Sequence, residues 1–490
     1  MKKFLLAAIL MCVSSPVFPN ENLNCLDVKS GWQMFGLSEG IANVENKFGN
    51  DQNIVESVWS YDGKNKKWKF YSPDDNLSSI AATSPNIGSI TNIAPKEGFW
   101  LKGKTNKQIC FQKDNLLPNF ASVTVGPVMN TARMVHNIIT LPNGNILLIG
   151  GHGSGFIALK SAEILDLKTN SFSQIQMNYT HDIGAVAKIE DGEYLIAGGA
   201  GDLGTAPGNN NIEIFDSNTS AFTSVGTMQK SRTGNTAVTL GNKVLIVGGW
   251  YDSGNTATPE IVDLLEKKST LTGALNVPRS YPWALPTNDS KAVVFWGMPS
   301  YGGDQYDSVE LYSPNDNNFT LLTGTMLNES GWKPFTNYLP RLASDQKMKN
   351  GKYLLWAHKD VHTSLISFDP EEKKFTKIDT TPSLPDTNKE VVFDLLVNKH
   401  KNIAIALSSK VGSEPNKLSV YVIKLDDMTL YKILDGYTMP TDFHLGLNSD
   451  ILLPNGKILI TGGFSQTGGS TNFSPVKKTF IVELMHKDTP

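Results

Sequence analysis

Leu141-Pro-Asn-Gly-Asn-Ile-Leu-Leu-Ile-Gly-Gly151 is a line this chain writes more than once. It returns as Ile189-Glu-Asp-Gly-Glu-Tyr-Leu-Ile-Ala-Gly-Gly199, as Thr239-Leu-Gly-Asn-Lys-Val-Leu-Ile-Val-Gly-Gly249 and as Leu453-Pro-Asn-Gly-Lys-Ile-Leu-Ile-Thr-Gly-Gly463. Each copy is a polar turn, a short apolar run and two glycines. A second run follows each time, as Ala162-Glu-Ile-Leu-Asp166, Ile212-Glu-Ile-Phe-Asp216, Pro259-Glu-Ile-Val-Asp263 and Thr479-Phe-Ile-Val-Glu483, and Val309-Glu-Leu-Tyr-Ser313 has the same form. Outer strands then open near Phe172, Phe222, Leu271, Phe319, Phe375 and Leu430. The period is about 49 residues, with four short strands in each unit, and that combination predicts a β-propeller. Degenerate stations at Trp296-Gly297, Trp356-Ala357 and Ala406-Leu407 bring the expected count to seven blades over residues 118–490.

The seventh unit ends at Thr479-Phe-Ile-Val-Glu483 with no outer strand after it. Asn119-Phe-Ala-Ser-Val-Thr-Val-Gly126 carries the missing pattern at the front of the domain. The first strand should therefore complete the last blade, which leaves no unpaired sheet edge at the seam.

Residues 1–20 read as a secretory signal. Lys2 and Lys3 precede an apolar core from Phe4 to Val13, and Ser14-Ser-Pro16 follows. Such a core is too short to span a bilayer, and no later segment is apolar for long enough. Met11 stands before Cys12 where a lipoprotein signal wants a small residue. The expectation is an exported bacterial protein, periplasmic or at the cell surface or beyond, with no membrane span. Net charge is −3 and pI about 6.3, so no global field recruits nucleic acid.

Residues 21–117 lack the repeat and should form a small β domain. Cys25 and Cys110 lie near its two ends, and an even pair in an exported protein favours a disulfide. Trp59-Ser-Tyr-Asp-Gly-Lys-Asn-Lys-Lys-Trp68 reads as a hairpin around an Asp-Gly turn, and Gly31 to Leu37 and Gly98 to Lys102 as further strands. Four of the nine tryptophans fall in this segment, so they either stack on sugars or, as the plainer role, fill a small core.

The paired glycines, the Glu-aliphatic-aromatic-Asp run and the aromatic opening the outer strand resemble the kelch repeat over residues 119–490. The variant is that of bacterial and galactose-oxidase-type propellers, with Phe or Leu where Trp is usual. The first 90 or so mature residues resemble a small module that precedes diverse domains in exported bacterial proteins. A kelch resemblance implies the fold and leaves the function open. Galactose-oxidase chemistry needs a propeller cysteine to cross-link its tyrosine. Residues 118–490 contain no cysteine, so that copper cofactor is excluded and no cofactor is expected. Similarity to periplasmic sialic-acid mutarotases implies a carboxylate-binding arginine beside an acid/base residue.

The arginines bear on both readings. Arg133, Arg232, Arg279 and Arg341 are the only four, and each precedes its station by 16 to 18 residues. His181, Lys389 and His444 fall near that phase in other units. One phase of a ring is one mouth. A cation there either binds an anionic ligand or ties neighbouring blades through backbone carbonyls. Trp250, Tyr251, Tyr301 and Trp332 lie in or near the loops past the glycines and serve either recognition or packing. His136, Asp182, Glu390 and Asp442 are the acid/base candidates on that face. His358-Lys-Asp-Val-His362 has metal-motif spacing without a helix to give it meaning, so no metal is expected. Gly198 to Gly208 lacks the strand-and-helix context of a nucleotide loop. The expected function is non-catalytic recognition of a glycan, acidic ones included, or of a protein, by a monomer at the loop-rich face. The alternative is a periplasmic isomerase of an acidic sugar.

Overall fold

The computed structural model describes residues 23–36, 44, 48, 53–62, 67–74, 87–90, 93, 98–112 and 117–485. Residues 191, 201–207, 252–253, 256–257, 300–304, 328–330, 335–341, 411–415 and 467–472 are excepted. The protein is all-β, and the chain divides into two compact units, residues 1–117 and 118–490. Among the described residues no helix is long and apolar enough to cross a membrane.

In the second unit the repeat becomes a series of antiparallel sheets. Pro-Asn-Gly reverses the chain because Gly144 and Gly456 take φ of +88° and +83°, a region open mainly to glycine. The first sheet runs Asn137–Thr140, Ile146–Ile149, Ser161–Asp166, Ser171–Gln176. The second runs Ala185–Glu190, Glu193–Ala197, Asn211–Asp216, Ala221–Thr227. The third runs Thr236–Leu240, Lys243–Val247, Glu260–Asp263, Lys268–Leu271, and the fourth Trp283–Pro286, Ala292–Phe295, Val309–Ser313, Asn318–Leu322. The fifth has three described strands, Tyr353–Lys359, His362–Asp369 and Lys374–Ile378. The sixth comprises Glu390–Asn398, Ile403–Lys410, Lys417–Lys424 and Thr429–Thr438.

The last sheet joins the two ends of the unit. His444–Leu452, Ile458–Gln466 and Thr479–Met485 are followed by Phe120–Val125, paired from Phe480 opposite Val125 to Met485 opposite Phe120. The strand missing from the seventh repeat is thus supplied by the first strand of the unit, as its sequence pattern predicts.

Burial explains the unbroken apolar runs. A strand covered on both faces has no reason to alternate. Ile146 and Leu148 pack with Ile451 and Leu459 of the last sheet, while Leu147 and Ile149 pack with Tyr194 and Ile196 of the second. Leu195 and Ala197 then meet Val244 and Ile246 of the third sheet, and Leu245 and Val247 meet Val294 and Tyr312 of the fourth. One large cluster joins the fourth, fifth and sixth sheets through Trp283, Trp296, Trp356 and Tyr421. Each fully buried Leu or Ile contributes about 1.5–3 kcal/mol.

In the first unit a five-stranded sheet runs Gly31–Gly36, Gly98–Gly103, Val55–Asp62, Lys67–Tyr71, Ile87–Ser89. Its core is Val58, Phe99 and Leu101 with Leu26, Val28, Val44, Phe48 and Ile109. The tryptophans do not fill that core. Cross-strand register places Trp32, Trp59, Trp68 and Trp100 on the opposite face, because they alternate with the core residues along each strand. Trp68 packs on Trp59 and Trp100, lying 5.5 Å from Trp100 and 5.2 Å from Tyr61, ring centroid to ring centroid. Trp32 and Tyr61 stay 41% and 45% exposed.

Leu23–Val28 and Lys107–Gln112 form a two-stranded sheet in which Cys25 stands directly opposite Cys110. Directly opposed residues of an antiparallel pair have Cα atoms about 4.5–5.5 Å apart, within disulfide range. We expect the two to be bonded. Thiol labelling of the unreduced, denatured protein lacking residues 1–20 should find no free cysteine, and two reactive thiols would reject the bond.

Candidate functional site

The first four sheets each open on one polar construction. Its centre is a glutamate in the third strand, Glu163, Glu213, Glu260 or Glu310, each fully buried. The carboxylate accepts two consecutive backbone N–H groups from the segment entering the sheet. These belong to Asn130 and Thr131, Asn178 and Tyr179, Gln229 and Lys230, and Asn276 and Val277. Two residues further on comes a cation. Arg133, His181, Arg232 and Arg279 reach these carboxylates at 2.9, 2.9, 2.6 and 2.9 Å. Each also bonds a carbonyl at its glycine station, that of Gly150, Gly198, Gly248 or Trp296.

The same residues connect one sheet to the next. The His181 carbonyl accepts the Gly151 N–H, that of Arg232 the Gly199 N–H, and that of Arg279 the Gly249 N–H, at 3.2, 2.8 and 3.0 Å. Both ring nitrogens of His181 face acceptors, the Gly198 carbonyl and the Glu213 carboxylate, so the imidazole stands where arginine stands elsewhere. Burial works to raise the Glu213 carboxyl, but hydrogen bonding and charge from His181, with the Asn178 donors, hold it below its ordinary value. Burial lowers the pKa of all three guanidiniums against the pull of their glutamates.

This placement corrects the expectation of a cationic ring open to ligand. Arg133, His181, Arg232 and Arg279 are each fully buried and bonded to glutamates inside the protein. Arg341 and Tyr301 lie outside the described residues. The glutamates carry a signal that the sequence reading left unused. A glutamate stands second in each run from Ala162, Ile212, Pro259 and Val309, and an Asn or Gln stands three residues before each Arg or His.

Beyond the glycines each sheet gains one more rung. Met134 bridges His152, Asp182 bridges Ala200, Thr233 bridges Trp250, Ser280 bridges Met298, and Lys333 bridges His358. In the first four sheets these pairs follow the tie by one residue on one side and the glycine station by one on the other, and in the fifth Lys333 follows Trp332 and His358 follows the station Trp356-Ala357. They occupy a common level in all five sheets, and their chemistry differs at every pair. Trp250 is half-buried and continues into the hairpin Trp250–Tyr251 with Gly254–Asn255. Burial and the neighbouring Lys333 charge lower the pKa of His358. His358 pairs with Thr363 and Lys359 with His362, which puts the two histidines on opposite faces of a hairpin. Trp332 is core: only 7% exposed, its carbonyl accepts the Trp296 indole N–H at 3.2 Å.

The most developed part of this level joins the first two sheets. His152 Nδ1 lies 3.0 Å from both carboxylate oxygens of Asp182. His152 is 5% exposed and Asp182 6%, and His152 Nε2 has no hydrogen-bond partner among the described residues. One level below, His136 Nε2 meets Thr461 Oγ1 at 2.8 Å. Burial, with the charge of Arg133, pushes His136 well below its ordinary pKa, so it stays neutral. The remaining acid/base candidates are engaged elsewhere. Glu390 accepts from Ser408, Tyr421 and Lys432 within the sixth sheet, and Asp442 pairs with Lys478 at the surface. Lys389 is exposed, and His444 stacks on Phe464 with Nδ1 beside the Asn416 amide. Comparison with known protein families and with curated proteins finds no match for this chain.

Proposed function

We propose that this chain is an exported bacterial binding protein built on a seven-bladed kelch-type propeller, recognising a glycan or protein partner at its loop-rich face without catalysis. The ring reading is supported by sheets that pack in sequence order, by the first sheet's packing on the last, and by the shared final sheet. The observation that carries the function is the contrast between two adjacent levels. The lower level repeats Arg or His on Glu in four sheets, while the upper level changes its chemistry at each rung. A constant frame beneath a varied rim is what a recognition surface requires.

The rival reading, an isomerase of an acidic sugar, keeps His152 and Asp182 as an acid/base pair. It lacks a guanidinium anchor among the described residues, since Arg133, Arg232 and Arg279 are bonded inside the sheets. The full chain should bind members of a glycan or peptide array, and Trp250→Ala with His358→Ala should weaken binding about tenfold at an unchanged melting temperature. Affinity untouched by both substitutions would remove the loop-rich face as the site. Acceleration of sialic-acid mutarotation in polarimetry would favour the enzyme.

A further inference from the structure

We infer that His152 Nε2 is a ligand-facing hydrogen-bond acceptor covered by Phe156, and that the ligand it suits is a neutral sugar. The inference rests on the loop-rich face being the recognition surface, and it names the chemical class bound there.

Asp182 decides which way His152 hydrogen-bonds. A carboxylate only accepts, so the imidazole nitrogen between its two oxygens carries the proton. In the neutral ring that leaves the lone pair on Nε2. A buried lone pair without a donor is unfavourable, and nearly all such groups find a partner. The complement to Nε2 is a ligand hydroxyl or N–H.

The cover is unusual in its own right. Gly153 and the short turn Ser154–Phe156 follow His152 directly. The Phe156 ring lies 5.2 Å from the imidazole, centroid to centroid, yet Phe156 is 50% exposed and Ile157 48%. Phe156 also takes φ of +58°, and Gly155 beside it takes +70°. An aromatic thus stands half in water beside the ring whose Nε2 is unsatisfied. A hydroxyl donor held next to an exposed aromatic and aliphatic surface is the chemistry of a pyranose, with its hydroxyl edge and its apolar C–H face. Among the described residues Arg133 offers a carboxylated ligand no counterpart, being buried and bonded to Glu163 and to the Gly150 carbonyl.

The test uses the full exported chain with ¹⁵N-labelled histidine. Methyl glucoside, methyl galactoside and methyl mannoside are titrated in turn, with N-acetylneuraminic acid as the anionic comparison. The expected result is a displacement of the His152 Nε2 resonance by at least one neutral glycoside. Phe156→Ala should weaken that glycoside about tenfold. Its melting temperature should not change, because the ring is exposed. An Nε2 resonance unmoved by all three neutral glycosides overturns the inference, as does selective response to the anionic sugar. These failures are separable from failure of the loop-rich face. That reading falls only when substitutions at Trp250 and His358 leave a bound partner's affinity unchanged.

Discussion

Replacing Arg232 with Met is expected to cost about 3–5 kcal/mol of stability, because it leaves a buried carboxylate without its cation. Glu260 is fully buried and faces Arg232 at 2.6 Å. Methionine fills much of the volume and restores none of the charge. It also abandons the Gly248 and Thr258 carbonyls, which the guanidinium now serves. The remaining donors to Glu260, the backbone amides of Gln229 and Lys230 and the Ser269 hydroxyl, lower the loss without cancelling it. Screening by salt reaches buried pairs weakly, so the loss should be nearly the same at low and high ionic strength. Urea unfolding of both proteins at two salt concentrations measures it. A loss below about 1 kcal/mol, accompanied by weaker binding of an acidic ligand, would return these arginines to the mouth.

The arginines illustrate how far the sequence could be read. Their shared phase was visible from spacing alone, and the phase is real: three described arginines and His181 occupy equivalent places. Spacing along a chain gives the level of a residue in the repeat. It does not give the direction in which a long side chain turns. That direction is set by Glu163, Glu213, Glu260 and Glu310, about 30 residues downstream, whose burial only the folded sheet establishes. The tryptophans of the first unit follow the same rule. Composition suggested a small core, whereas the pleat places Trp32, Trp59, Trp68 and Trp100 on the face that Phe99 and Leu101 do not occupy. The His152–Asp182 pair was out of reach for a third reason. Its members belong to different sheets, and their contact follows from sheet-on-sheet packing rather than from any local pattern.

Degenerate stations were legible as positions and opaque as structure. Trp296 stands where other repeats have their first glycine and shares its positive φ, at +56°. Its side chain, rather than a close backbone approach, makes the link to the following segment through the Trp332 carbonyl. Tryptophan is tolerated there because the contact on that side is built from aromatic rings, Trp283, Phe295 and Trp356 among them.

Where the glycine is kept, a single methyl group should be severe, and Gly150→Ala is expected to cost more than about 3 kcal/mol or to abolish folding. A Cβ on Gly150 would lie 2.0 Å from the His181 carbonyl oxygen and 2.9 Å from its carbon. Both atoms are backbone. They cannot swing aside, and that carbonyl already accepts the Gly151 N–H. The conformation adds a second cost, since φ is +60° and an L side chain there costs about 1–2 kcal/mol. Gly241→Ala separates the two. Gly241 has φ of +63° and nothing within 4 Å of a built Cβ, so it should lose only the conformational part. The same geometry recurs around the unit. A Cβ at Gly198 would meet the Arg232 carbonyl at 2.6 Å, one at Gly248 the Arg279 carbonyl at 2.7 Å, and one at Gly462 the Arg133 carbonyl at 2.6 Å. The last of these joins the seventh sheet to the first, so Gly462→Ala should be as damaging as Gly150→Ala although its repeat is the final one. Chemical denaturation of Gly150→Ala, Gly462→Ala and Gly241→Ala decides the matter. Equal losses at all three would mean that the glycines serve only their own φ. A large gap between Gly241 and the other two would mean that they hold neighbouring sheets at backbone contact, and that the seam between the last sheet and the first is as tight as any other.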